Sequence, residues 1–349
     1  MRSSATLSLC LTLCGVARAD IVPVPGTQSV GKLFRDSDVV CNCIVQSIAV
    51  TREETVQVGR GKLVRKHRTA LVRVQQFYKG NPAEGSLLSV DFETEAPATR
   101  SLPVLSDSET AILFLKRSKS GYTFADPSLG ATRFDRIPIS DGGECVMKLQ
   151  SALASVVRLG GRPNQLRAMV LLQGMDQFSP ETVDAMNEVS VSSDPDLAFS
   201  ALAVLLRNDP ADGASRLSTY LAGYAGNDQH IALQALSSEL MQIRDQRALT
   251  ALGSLSASKF IALRFGAVEA LRQMKSSQSA AALVRRLDDP DRDIQFMAVL
   301  ALAEIYHKSG EFHPATPLFD SDPQHYTDLW KTWLQDSGSN AAAPNSEPR

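Results

Sequence analysis

The sequence holds little of what a reaction centre is built from. Five histidines are spread over 349 residues, and none falls in the His-Glu-x-x-His spacing that sets two metal ligands on one helix face. It has no Gly-x-Ser-x-Gly elbow, no Gly-Lys-Ser/Thr phosphate loop and no dinucleotide fingerprint. The acid pairs Asp36/Asp38 and Asp107/Glu109 sit at strand ends, where turn carboxylates are ordinary. These absences argue against an enzyme and against any cofactor.

An excess of one charge is missing too. The formal net charge is −2, and without residues 1–19 it is −4, from 34 basic and 38 acidic residues. A general nucleic-acid binder would be strongly basic, so nucleic acid is not an expected partner. No run reaches the ~18 consecutive apolar residues of a membrane helix, so no membrane insertion is expected. Aromatic residues make up 6% of the chain. With abundant Ala and Leu, that suits thin helical layers better than a large enzyme core.

Residues 1–19 read as a cleavable export leader. Arg2 supplies the positive start, residues 5–16 the mostly apolar stretch, and Ala17-Arg18-Ala19 the small-x-small cleavage signal before Asp20. The run Leu11-Thr12-Leu13-Cys14-Gly15 is a weaker lipoprotein pattern, with bulky Leu13 where such signals carry a small residue. The expected location is periplasmic or secreted. Cleavage leaves Cys41, Cys43 and Cys145. Export permits a disulfide. Cys41 and Cys43 lie two apart in a strand-like run, which is poor geometry for bonding each other. Cys43 with Cys145, or Cys41 with Cys145, is the expected pairing. A Cys-x-Cys metal site lacks a nearby His or second Cys pair to complete it.

What is present is a repeat. Ala201-Leu202, Ala235-Leu236, Ala270-Leu271 and Ala301-Leu302 recur at spacings of 34, 35 and 31 residues, each preceded by another Ala at −3. Such a period marks a helical repeat array, which stacks unit on unit and leaves one long exposed face. In the best copy Asp289-Pro290-Asp291 opens a helix, and Ile294, Ala298, Ala301, Leu302 and Ile305 form its buried stripe. Second helices are expected at 214–224, 247–255 and 279–287, and an earlier pair at 166–175 and 181–189. Tyr326, Trp330 and Trp333 fall at i, i+4, i+7 and read as a cap over the last repeat.

Residues 38–137 read differently. Val39-Val40-Cys41-Asn42-Cys43-Ile44-Val45 is β-branched and unbroken, and Leu71-Val72-Arg73-Val74-Gln75-Gln76-Phe77 alternates. Further strands are expected at 87–92, 111–115 and 122–124, between turn signals such as Lys79-Gly80-Asn81-Pro82. A small closed barrel would hide their edges. Arg60, Lys62, Arg65, Lys66 and Arg68 cluster between the first two strands, as a loop for an acidic partner or as charge balanced by Glu53 and Glu54.

Two resemblances follow. Phe34-Arg35-Asp36-Ser37-Asp38-Val39-Val40, then Phe77-Tyr78-Lys79-Gly80 and 111–115, resemble the layout of the inhibitory domain of tissue inhibitors of metalloproteinases. The resemblance implies an OB-type barrel. In those inhibitors a Cys-x-Cys at the mature N-terminus chelates the protease zinc, whereas Cys41-Asn42-Cys43 lies inside a strand, so the inhibitory wedge is missing. The run 289–305 and Leu263-Arg264-Phe265-Gly266-Ala267-Val268-Glu269-Ala270-Leu271 resemble the short HEAT-like repeats of phycobilisome lyases and bacterial scaffolds. That implies helix-pair architecture and is nearly silent on partner.

The expected chain is thus an α+β multidomain protein: leader 1–19, OB-like β-barrel 20–140, connecting helix 141–163, HEAT-like α-solenoid 164–336 with a capping helix, and a disordered tail 337–349. The expected function is a non-catalytic exported scaffold that binds a protein or peptide through the solenoid. The alternatives are a protease inhibitor acting through the barrel and a chromophore lyase. Oligomeric state is left open.

Overall fold

The computed structural model describes residues 29–59, 61–80, 86–96, 105–126, 130–139, 145–175, 177–227 and 230–338. The expected leader, Arg60 and residues 339–349 of the expected tail lie outside them. A short helix α1 (Val30–Asp36), capped by the Ser29 hydroxyl, leads into the sheet. Strands β1 (Val39–Val58) and β2 (Gly61–Lys79) form a hairpin turning at Gly59, whose φ of +58° is the left-handed conformation a tight hairpin requires. Four shorter strands follow: β3 (Leu87–Ala96), β4 (Thr110–Arg117), β5 (Tyr122–Phe124) and β6 (Ala131–Phe134). Their order is β1-β2-β3-β5-β4-β6, and β4 also pairs with β1 from Val39↔Leu115 to Ile44↔Thr110.

The sheet therefore curls back on itself, unevenly. β3 meets β5 in parallel at Val90↔Tyr122 and Asp91↔Thr123 alone, while β1 and β2 run far beyond the ring. Alternation sorts the side chains. Val39, Cys41, Cys43 and Val45 join Val72, Val90, Leu113 and Leu115 in a core inside the curl. Val40, Tyr78, Ile112 and Phe114 face outward and are equally buried, because helices cover them.

The helices are α2 (Cys145–Leu159), α3 (Arg162–Gln173), α4 (Pro180–Val189), α5 (Pro195–Asn208), α6 (Pro210–Gly223), α7 (Ile231–Leu240), α8 (Leu249–Leu255), α9 (Ile261–Met274), α10 (Ala280–Val284), α11 (Arg292–Ile305), α12 (Thr316–Ser321) and α13 (Pro323–Gly338). Their starts are written in the sequence. Ser179, Asp194, Asp209 and Asp291 each accept from first-turn amides, and Pro180, Pro195 and Pro210 occupy first positions that need no donor. α3, α5, α7, α9 and α11 stack side by side, with α2, α4, α6, α8 and α10 behind them. Short 3-10 turns extend α8 and α10, so the second helices expected at 247–255 and 279–287 are partly 3-10.

Small residues set the spacing. A Cβ on Gly266 of α9 would stand 2.7 Å from the Ser237 carbonyl oxygen of α7, so only glycine permits this approach without a shift. Ile294, Ala298, Ala301 and Leu302 are buried as the stripe requires, and Ile305 is partly so. The Ala-Leu pairs are not structurally equivalent, however. Relative to the N-caps Asp194, His230, Phe260 and Asp291, Ala201 lies seven residues in, Ala235 five, and Ala270 and Ala301 ten. Ala235 is exposed, whereas Ala201, Ala270 and Ala301 are buried. On a helix, a slip of three residues stays near one face, so a sequence period survives a change of phase.

The outer face of the sheet and both helical layers share one continuous apolar core. α2 lies at this junction, against β2, α3 and α4. Asn42, in register with Ile112 of β4, is fully buried on the same outward face, and its amide has no protein partner.

Candidate interaction surfaces

Beyond the ring, the outer half of β2 pairs with β1 on one side and with β3, from Val64↔Ala96 to Arg73↔Leu87, on the other, and the three form an arm. The basic residues expected on a loop stand here instead: Lys62, Arg65, Lys66 and Arg68 are on β2. Alternation splits them between two faces. On one face Arg65 reaches Glu54 at 3.5 Å, Glu93 at 3.7 Å and Glu95 at 3.3 Å, and His67 Nδ1 lies 3.1 Å from Glu93. Thr69 and Ser120 both donate to Asp91, at 2.6 Å each. On the other face Lys66 pairs with Glu53 at 3.1 Å, and Lys62 and Arg68 have no acidic partner among the described residues. The cluster is thus one acid-rich face and one basic face, set back to back on a ribbon.

Cys41 and Cys43 are free thiols, both fully buried inside the curl. Cys43 Sγ donates to the Ala111 carbonyl at 3.6 Å. A hydrogen bond with Cys41, reinforced by burial, holds the Cys43 thiol well above the ordinary range. Both point to the inner face, whereas α2, which starts at Cys145, packs on the outer one. The expected pairing of either thiol with Cys145 falls on a side chain outside the described residues.

Along the solenoid, polar staples join each first-layer helix to the next. Arg207 at the end of α5 binds Glu239 of α7 and the Gln173 carbonyl of α3. Arg244, just past α7, binds Gln273 of α9, and Arg272 of α9 binds Glu304 of α11 at 2.7 Å. In the second layer Arg158 of α2 grips Glu188 of α4, which pulls the carboxyl below its ordinary range. Arg162 binds Asp194 and Asp196 and lowers the Asp194 carboxyl likewise. These exposed pairs fix register more than they add stability.

Between α7, α9 and α11 lies a groove of about 340 Å³ lined by Gln234, Ser237, Ile261, Ala262, Phe265, Asp291 and Asp293. A smaller hollow of about 170 Å³ opens between α6, α8 and the start of α9, with Lys259 at its rim donating to the Tyr224 carbonyl at 2.8 Å. Nothing in the sequence pattern singled out the groove. Within it Ile261, directly after the N-cap Phe260, is 46% exposed. At the far end Trp330 is fully buried against Phe312, ring centres 4.9 Å apart, and its indole N–H donates to the Phe312 carbonyl at 3.2 Å.

Among the described residues, chemistry-bearing side chains do not converge. His67 is on the arm, His230 caps α7 and lies 3.3 Å from Asp196, and His307, His313 and His325 belong to the C-terminal turns and α13. Asp38 accepts from the Arg117 amide at 2.8 Å and Glu109 from the Ser106 amide at 2.9 Å, so these carboxylates tie turns. Among the described residues no group of three His, Cys, Asp or Glu is placed to hold a metal ion, and no helix is long and apolar enough to cross a membrane.

The stacked helix pairs of the C-terminal half are similar to HEAT repeats. The family model for HEAT repeats matches residues 220–303, from the end of α6 into α11. HEAT repeats are in general protein-interaction scaffolds. No curated protein matches this chain.

Proposed function

We propose that this protein is an exported, non-catalytic scaffold that holds a protein or peptide partner through the solenoid. The observation that carries this reading is the groove between α7, α9 and α11, inside the segment that matches HEAT repeats. A solenoid binds along surfaces made by successive units, and this groove draws on three of them. The N-terminal domain is read as an OB-type barrel, supported by the curl of five strand positions and by closure through β1 and β4. Its basic arm face, with Lys62, Lys66 and Arg68, is read as a second contact for an acidic surface. The protease-inhibitor alternative has less support, because Cys41 and Cys43 are sealed in the barrel core away from any protease zinc. Export rests on the leader pattern in residues 2–19, and neither strong basic charge nor a cofactor motif points to other partners.

Affinity capture from native cell-envelope extract tests this reading. The full chain is compared with one variant altered on the solenoid, Gln234→Arg, and one altered on the arm, Lys62→Glu with Arg68→Glu. Partners lost with the solenoid variant and kept by the arm variant support the scaffold. Loss with the arm variant alone moves the binding site to the barrel, and no retained partner contradicts the proposal.

A further inference from the structure

The groove over α9 has a chemistry of its own. Its floor is apolar, from Ile261, Ala262 and Phe265, and Ile261 is 46% exposed. Its α11 side carries two carboxylates. Asp291 uses Oδ1 to cap α11, accepting from the Asp293 amide at 3.0 Å and the Ile294 amide at 3.2 Å. No cation pairs with either carboxylate among the described residues. Arg292 stands between them in sequence but does not line the groove, while Arg264 and Arg286 are committed to Asp289.

An apolar floor beside two carboxylates that have no cationic side-chain partner among the described residues selects one kind of occupant. An acidic peptide, a nucleic acid or an anionic lipid surface would be repelled, and a purely apolar chain would leave both carboxylates facing a desolvated neighbour. We propose that the groove between α7, α9 and α11 binds a peptide segment that presents a Lys or Arg beside an aliphatic side chain. The cation meets Asp293 and the free oxygen of Asp291, and the aliphatic group packs on Ile261 and Phe265. Gln234, exposed on the α7 side, is placed for the peptide backbone. At about 340 Å³ the groove is at the small end of ligand sites, of order 300–1,000 Å³, and suits a short segment. This inference rests on the scaffold reading and narrows it.

The test is fluorescence anisotropy on the full chain with a labelled twelve-residue peptide of Leu-Lys pairs spaced by Ser. Counterparts carry Glu for Lys or Ser for Leu. The expected result is binding of the Leu-Lys peptide that weakens with salt, with neither counterpart bound. Asp293→Lys and Ile261→Ser each weaken it about tenfold, equal to 1.4 kcal/mol, with circular dichroism unchanged. Both positions are exposed, so neither change strikes the core. No binding by the parent chain, equal binding of the Glu peptide, or unchanged affinity in both variants overturns the proposal. The capture experiment separates the two readings. A natural partner retained in full by Asp293→Lys refutes the groove and leaves the scaffold standing, whereas no partner at all removes the scaffold.

Discussion

Arg264 of α9 is buried against Asp289, in the turn that launches α11. Nη2 donates to Oδ1 at 3.1 Å, and Nε lies 3.0 Å from Oδ2. Asp289 also faces Arg286 at 3.2 Å and accepts from the Asp291 amide at 3.1 Å, so one carboxylate ties two repeats and sets the cap of the second helix. The Asp289 side chain is wholly buried and that of Arg264 is 8% exposed. Removing one partner strands the other charge. Asp289→Ala is expected to cost about 3–5 kcal/mol in chemical unfolding, and replacing both by apolar residues of similar volume to recover most of it. A loss below about 1 kcal/mol, the scale of an exposed pair, would contradict this placement.

The two barrel thiols yield a pH prediction. The folded state keeps Cys43 protonated, while the unfolded chain releases that proton near the ordinary thiol range, about 8.5. Above it the unfolded state binds fewer protons than the folded one, so stability falls as pH rises. Urea midpoints are expected to hold up to pH ~8 and decline toward pH 10, with a shallower decline in Cys43→Ala. Neither Cys41 nor Cys43 should react with a thiol reagent before unfolding, as peptide mass mapping would show. Rapid native labelling of either would place it outside the core.

The curled sheet and the helical layers are expected to unfold together. Val40, Tyr78, Ile112 and Phe114 belong to the same core as the helices, and all four are fully buried. Phe114→Ala should cost about 3–5 kcal/mol and weaken amide protection in α2 and α3 as well as in β4. Protection changes confined to the strands would show two separate units.

Asn42 offers a change in the opposite direction. Its buried amide lacks a protein partner, so Asn42→Val, on a β-strand, should raise stability by about 1–3 kcal/mol. A fall in the melting temperature would mean that the amide is satisfied in solution.

The helical half was legible because its signals are local. Asp-Pro and Ser-Pro steps mark helix starts at 194–195, 209–210 and 179–180, and apolar spacing marks the buried faces. The arm was not. Residues 46–58 and 61–70 bury few side chains, so they lack the apolar alternation that announces a strand, and Arg65 and Lys66 read as loop charge. Only the register shows that Glu54 and Glu95 flank Arg65 across two strand gaps. For the thiols, a spacing of two fixes a shared face but not which face, and the sheet turns that face inward. The groove was illegible because Gln234, Ile261 and Asp293 come from three repeats, and no spacing along the chain records that they meet.

Photo-crosslinking addresses the central claim most directly. A crosslinking residue is placed at Gln234 in one full-length chain and at Thr55 of the arm in another, and each is illuminated with the captured partner bound. The account predicts adducts from Gln234, mapping to a partner segment that carries Lys or Arg beside an aliphatic residue, whether or not Thr55 on the arm also gives adducts. Adducts from Thr55 with none from Gln234 would contradict it, and would make the arm of the barrel the binding element.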